Sequence, residues 1–301
     1  MRGGDRLLAP SGGRLGARLV TLSAAMRRPI ADWPTGFDNS LPRELRAEET
    51  SAPHESRQVV GAHFTRVRPT VSSPNPTLVL HSDEVAASLG LGADDCASPD
   101  FLAWFSGSPP ATAETWATAY GASFAGRYGG QRGDGRAITV GQLHSQEVQL
   151  KGAGTTPFSR QFDGRAVLRS CVREFLASEH MAALGVPTTR ALAVVTTGED
   201  VVRRWYDDDG RERIRAEPGA VGTRVATSFL RFGQMELFFQ RDEPELLREL
   251  ADHALRREFG HLMVQNPGAP RAKLYVAMFE EVCERQAHLV AEWLRVGYGQ
   301  G

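Results

Sequence analysis

The ordered run of elements across residues 126–226 constrains this chain more than any other feature. It opens with Gly129-Gly130-Gln131-Arg132-Gly133-Asp134-Gly135-Arg136, which reads as a glycine-rich turn between strands. A strand-like segment, Ala137–Leu143, follows. A short turn at His144-Ser145 then leads into Glu147-Val148-Gln149-Leu150-Lys151. Val148 and Leu150 alternate with Glu147, Gln149 and Lys151, the pattern of a half-buried strand, so Lys151 is expected on the polar face. Gly152, Ala153 and Gly154 end that strand. Residues 165–184 predict a helix with Leu168, Cys171, Val172, Phe175 and Leu176 as its apolar stripe, stopped by Gly185 and Pro187. Glu174 borders the stripe, where an unpaired charge is costly. Residues 190–195, 201–205 and 220–226 are strand-like, with Asp207-Asp208-Asp209-Gly210 as a turn among them.

On either side the pattern changes. Residues 33–110 are rich in Pro, Ser and Thr and predict loops, short strands and a helix near residues 82–89, with Trp104 and Phe105 as packing residues. After Ser228 the apolar residues fall at helical spacing: Leu246, Leu247, Leu250 and Ala254, then Tyr275, Met278, Phe279, Val282, Leu289, Val290 and Trp293. Strands followed by helices predict an α+β fold in two lobes, and the 301 residues are enough for one large domain or two. The boundaries read as a basic tail at 1–30, an N-terminal extension at 31–125, a nucleotide lobe at 126–227 and the start of a helical lobe at 228–301.

Composition narrows the function. A net charge of −1 gives no bulk positive field for nucleic acid. No apolar run reaches the roughly 20 residues of a membrane span, so neither nucleic acid nor membrane is expected as a partner. Cys96, Cys171 and Cys283 lie far apart without a CxxC, which argues against a disulfide framework or a cysteine-rich zinc site.

A glycine-rich turn, a strand ending in Lys151 and a helix carrying Glu174 are together the order of a kinase-type nucleotide lobe. In such a lobe, small residues admit phosphates, the lysine offsets their charge, and the helix glutamate holds the lysine. Each feature alone has a plainer reading: glycines serve hairpins, and a strand-end lysine is solvated. Arg224 and Arg231 add guanidinium groups suited to bidentate phosphate contact, and taken alone they are ordinary surface charges. Asp163-Gly164 is a turn by default.

Longer motifs carry a family resemblance. Lys151-Gly-Ala-Gly-Thr-Thr-Pro-Phe-Ser-Arg160, Asp163-Gly-Arg-Ala-Val-Leu-Arg169 and Arg173-Glu-Phe-Leu-Ala-Ser178 resemble the signature run of the selenoprotein O family. Gly185-Val-Pro-Thr-Thr-Arg-Ala-Leu192, Arg224-Val-Ala and Arg231-Phe-Gly-Gln-Met-Glu236 continue it, as do Phe37-Asp-Asn-Ser40 and Gly61-Ala-His-Phe-Thr-Arg-Val-Arg-Pro69. The resemblance implies a protein-kinase-like two-lobe fold that binds ATP in reversed orientation. It transfers AMP to Ser, Thr or Tyr hydroxyls of protein substrates, with Mg2+ expected for the complete family protein. It further implies that Gly133, Gly135 and Arg136 form the nucleotide loop. Lys151 would contact phosphate and pair with Glu174, Asp163 and Gly164 would contact ATP, and Arg224 and Arg231 would bind the phosphates.

The match is imperfect. Tyr120-Gly-Ala-Ser-Phe-Ala-Gly126 departs from the family's aromatic–Gly–His–Gln–Phe–Gly stretch, and Gln131-Arg132-Gly133 lacks its usual central Leu. Glu292-Trp-Leu-Arg-Val-Gly297 resembles the helix before the family's catalytic loop, so the general base, the metal carboxylates and a selenocysteine are expected beyond Gly301. On that expectation the nucleotide lobe is largely present and the helical lobe incomplete. The implied function stays protein adenylyltransferase, with the given residues nearly inactive by themselves; the alternative is a non-catalytic nucleotide-binding fragment or pseudoenzyme, and protein kinase is a further alternative.

The first 30 residues hold six arginines (Arg2, Arg6, Arg14, Arg18, Arg27, Arg28) and one acid, Asp5. Leu15, Leu19, Leu22 and Met26 fall at helical spacing, which matches an organelle transit peptide and places the protein in the mitochondrion, with the cytoplasm as the alternative. Residues 1–30 fused to a fluorescent reporter are expected to carry it into mitochondria; a purely cytosolic signal would refute this reading.

Overall fold

The structure, a computed structural model, describes residues 28–206 and 209–299. Most of the arginine-rich tail and part of the Asp207-Asp208-Asp209-Gly210 turn therefore lie outside the described residues.

The chain begins with α1 (Trp33–Gly36), α2 (Ser40–Glu44), β1 (Ala47–Glu48), β2 (Phe64–Arg66) and β3 (Thr77–His81). The helices α3 (Asp83–Ser88), α4 (Ala93–Cys96) and α5 (Pro99–Phe105) follow. Next come β4 (Trp116–Thr118), β5 (Gly121–Phe124), β6 (Arg127–Gln131), β7 (Ala137–Leu143), β8 (Gln146–Lys151) and β9 (Ala166–Val167). The helix α6 (Leu168–Ala183) precedes the long strands β10 (Arg190–Tyr206) and β11 (Glu212–Ala226). Last are α7 (Phe232–Gln240), α8 (Pro244–Glu258), α9 (Gly260–Gln265) and α10 (Arg271–Arg295). No helix among the described residues is long and apolar enough to cross a membrane.

This is an α+β arrangement built on one mixed sheet, ordered β1-β2-β4-β7-β8-β11-β10-β3, with β9 paired to β11 and β5-β6 as a separate ribbon. Only β1 and β2 run parallel within the ordered path. Residues 47–118 contribute four strands to the sheet that carries Lys151. One face is apolar: Ile138, Val140, Val148, Leu150, Val195, Val221 and Val225 join the main core with Trp33, Trp104 and Phe105. The rings of Trp33 and Trp104 meet edge-on, 5.7 Å between centroids. α3 is capped by Ser82, whose Oγ accepts from the Val85 N–H, as helix entry there requires.

The other face carries α6. Cross-strand partners point to the same side of a sheet. Val194 is opposite Gly222, and Cys171, Val194 and Ala220 form a smaller cluster with Leu80, Leu168, Val172 and Phe175.

Four local readings are corrected. Gly129 and Gly130 lie in β6 and not in a turn, because the flanking Tyr128 and Gln131 pair with β5 and the two glycines fall at the irregularity between them. The two strands expected at 190–195 and 201–205 are one strand with an irregularity between Thr196 and Asp200, and β11 begins at Glu212. That half of the hairpin is exposed, so backbone pairing holds it and hydrophobic periodicity does not reveal it. Leu176 is exposed and falls outside the apolar stripe of α6. Finally, β8 is buried on both faces: Glu147 and Gln149 are as enclosed as Val148 and Leu150.

Glu147 is reached by Arg257 of α8, Nη2 to Oε1 3.2 Å. Arg257 also donates to Ser40 and to the Thr227 carbonyl, tying α8 to β8 and α2. Burial raises the Glu147 carboxyl to about 7, against the attraction of Arg257. The native state therefore keeps a proton that the unfolded chain releases near the ordinary glutamate value. This contribution to stability is full below the unfolded pKa and is lost as pH rises through about 7. Glu147→Gln is expected to stabilise the protein at pH 8 relative to pH 5, compared with the unmutated chain, by on the order of 1–3 kcal/mol in chemical denaturation. Parallel pH profiles for the two proteins would show that Glu147 stays charged.

Candidate functional site

The site grows from the register of three adjacent strands. Lys151 on β8 stands opposite Ala137 on β7 and Gly222 on β11. Gln149 stands opposite Thr139 and Arg224, and Glu147 opposite Gln142 and Ala226. These rows lie on the face that α6 crosses. Cys171 of α6 packs over Gly222, where an added Cβ would make an ordinary contact with its Sγ at 3.6 Å. One turn further along α6, Glu174 reaches Lys151, and the Lys151 Nζ donates to both carboxylate oxygens at 2.6 and 2.7 Å. The expected pairing is therefore present. The two side chains are 23% and 34% exposed, so water screens the pair and its main effect is to fix the ammonium in place. Burial pushes the Lys151 amine below the ordinary lysine value; Glu174 opposes this, while Arg224 and Arg136 add to it.

Arg136, Lys151, Glu174 and Arg224 line one narrow cleft between α6 and the sheet. Burial also pushes the Arg224 guanidinium below its ordinary value, and Arg231 acts in the same direction. Arg224 stacks on Phe229, 5.2 Å from its ring centroid, and donates to the Gln149 Oε1. Its Nε has no hydrogen-bond partner among the described residues. Arg231 is the N-cap of α7, its own N–H donating to Gln234 Oε1 at 2.7 Å. Its guanidinium lies 4.9 Å over the Tyr120 ring and 3.5 Å from the Asp134 carboxylate. Asp134 is held in turn by the N–H and the hydroxyl of Thr118. Burial, and then Asp134, raise the Tyr120 phenol.

The glycines of the loop answer to packing. Gly133 has φ of +120°, and a Cβ there would meet the Phe158 ring at 2.3 Å. At Gly135 a Cβ would stand 2.7 Å from the Phe158 carbonyl oxygen. The 156–159 turn pins this loop, with the Thr156 hydroxyl donating to the Asp134 carbonyl and the Ser159 hydroxyl to the Gly135 carbonyl. Arg136 extends from it to the cleft. Asp163 and Gly164 lie elsewhere. Asp163 accepts from Arg203 at 2.9 and 3.2 Å and from the Arg165 N–H, and neither residue lines the cleft. Burial opposes ionisation of Asp163, but Arg203 and the Arg165 N–H outweigh it and hold its carboxyl below the usual range. Gly164, with φ of +70°, packs against the Gly154 carbonyl so closely that a Cβ would fall 2.0 Å from the oxygen.

Two site residues escaped the sequence reading. Gln149 was legible in principle, since period two puts it on the face of Lys151. Asp134 read only as part of an Asp-Gly turn; its burial comes from Thr118 in a distant strand.

A family model described as "Protein adenylyltransferase SelO" matches residues 50–301. Among curated relatives, the protein nucleotidyltransferase YdiU of Azoarcus sp. (strain BH72) is 50% identical over 275 residues, covering 89% of this chain and 51% of the relative. That of Aromatoleum aromaticum is 47% identical, covering 88% and 51%, and that of Rhodopirellula baltica 44% identical, covering 88% and 49%. The chain spans about half the length of the curated relatives it matches.

Glu174 raises the Lys151 amine against its burial, so removing the carboxylate frees more of the neutral amine. Glu174→Gln is expected to speed acylation of Lys151 by acetic anhydride at pH 8 about threefold to tenfold, one pKa unit being tenfold in free amine. Equal labelling of Lys151 in both proteins, read by mass spectrometry, would refute the electrostatic role.

Proposed function

Because the chain belongs to the SelO family of protein adenylyltransferases, we propose that its cleft binds ATP and serves AMP transfer to Ser, Thr or Tyr hydroxyls of protein substrates. The observation that carries this reading is that Arg136 and Arg224 line one cleft with the Lys151–Glu174 pair, while Arg231, outside that lining and beside Asp134, still acts on the charge of Arg224; together they hold more positive charge than the neighbouring carboxylates offset. A triphosphate supplies the missing negative charge. In this reading the sheet is the nucleotide lobe of a kinase-like fold, and α7 to α10 begin the helical lobe.

Each residue has a separate task. Lys151, fixed by Glu174, meets the phosphate nearest the acceptor. Arg224 and Arg231, absent from the kinase-type pattern of loop, lysine and glutamate, take the remaining phosphates. Arg136 closes the loop side. Gly133 and Gly135 keep the loop thin over Phe158, and the ligand approaches its backbone. Asp163 joins the ligand only by leaving Arg203, with Gly164 as the pivot of that turn. Charge already in place needs no reorganisation as the bond to pyrophosphate breaks. Magnesium supplies further neutralisation in nucleotide chemistry. The described residues hold no group of three or more His, Cys, Asp or Glu side chains placed to bind a metal ion.

ATP titration is expected to show weaker binding for Arg224→Ala and for Arg231→Ala, each by roughly 1.5–3 kcal/mol for a lost charge-assisted contact. Unchanged affinity in both variants would remove the arginines from the site. Labelled ATP and a generic protein acceptor separate the chemistries. In a protein of the curated relatives' full length, label retained from the α position and not the γ position is the expected result. Retention from the γ position would mean a kinase, and binding without retention from either would mean a nucleotide-binding protein that does not transfer.

A further inference from the structure

Gln149 occupies the middle of the row Thr139–Gln149–Arg224, which runs straight across three strands. Its side chain is fully buried, at 0% exposure, and both ends of the amide are used. The Nε2 donates to the Thr139 hydroxyl at 3.2 Å, and the Oε1 accepts from Arg224 Nη2. The Phe229 ring lies under the guanidinium and fixes its plane. A guanidinium has five N–H donors in a rigid fork. One is held by the amide, and the buried Nε still lacks a partner, in a side chain that lines the cleft.

The chemistry of the acceptor matters. A carboxylate at this enclosed position would hold Arg224 equally well but would offset its charge. An apolar side chain would leave the buried guanidinium without an acceptor and free to turn. A neutral amide is the choice that orients the fork and leaves the cation available.

We infer that Gln149 is a positioning residue that aims Arg224 at a phosphate of the bound nucleotide while sparing its charge. The inference rests on the nucleotide reading of the cleft, and its test separates the two. Gln149→Met, Arg224→Ala and the double variant are titrated with ATP. Rotation of the Arg224 guanidinium is followed by nitrogen NMR in the nucleotide-free protein.

Gln149→Met is expected to free that rotation and to weaken ATP binding about tenfold, with no further loss when added to Arg224→Ala. Gln149→Glu is expected to keep the guanidinium immobile and still weaken ATP at least as much, because it cancels the charge. Unchanged rotation in Gln149→Met, or an equal loss of affinity in the Arg224→Ala background, overturns the inference. Freed rotation with wild-type ATP affinity in both Gln149→Met and Arg224→Ala confirms the positioning and overturns the nucleotide reading instead. Should Gln149→Met not fold, Thr139→Val removes the other anchor of the amide and is expected to move both readouts the same way by a smaller factor.

Discussion

The structure depends on a buried polar row along a single strand. On β8 every second side chain is polar, and each has a partner: Glu147 meets Arg257, Gln149 meets Arg224, and Lys151, partly exposed, meets Glu174. Those partners come from α8, β11 and α6. A buried charge or amide without a partner costs several kcal/mol. The row therefore fixes where three separate elements must sit, and a slip of one residue along β8 would turn all three side chains into the apolar face that Val148 and Leu150 share with the core.

Fixing the elements also concentrates like charge. Beyond burial, Arg224 and Arg136 lower the Lys151 amine, and Arg231 lowers the Arg224 guanidinium. The fold holds Arg224 by neutral means, an amide and a phenyl ring, and Arg231 by a phenol ring and the Asp134 carboxylate 3.5 Å away. Aromatic faces and an amide oxygen orient a cation without consuming its charge. The residual field of the cleft favours an anion with several negative oxygens, and it is preorganised before any ligand arrives.

Much of this was legible from the sequence. The strand ending in Lys151 and the helix carrying Glu174 follow from period two and from helical spacing, and the ion pair follows from their order. What was not legible depends on long-range pairing. The burial of Gln149 and Glu147 involves the Arg224 side chain of β11 and Arg257 of α8 packing against them, which no local pattern announces. Asp134 is buried because Thr118, in another strand, binds its carboxylate. The exposed half of the β10–β11 hairpin is held by backbone pairing between strands whose side chains alternate weakly, so its continuity is invisible to hydrophobic periodicity.

The glycines show how one sequence signal can carry two physical meanings. Gly133 and Gly135 suggest a phosphate loop, because small residues admit a ligand. In the structure their immediate constraint is Phe158, whose ring and carbonyl occupy the space a Cβ would need. The two meanings are compatible, since a loop pressed against the 156–159 turn on one side has its other side free of side-chain bulk. The same reasoning applies to Gly164, where a Cβ would fall 2.0 Å from the Gly154 carbonyl oxygen and the turn it closes holds Asp163 against Arg203. In each case the glycine contributes the closeness of two backbones, and the chemistry is supplied by the charged residue that this closeness brings into range.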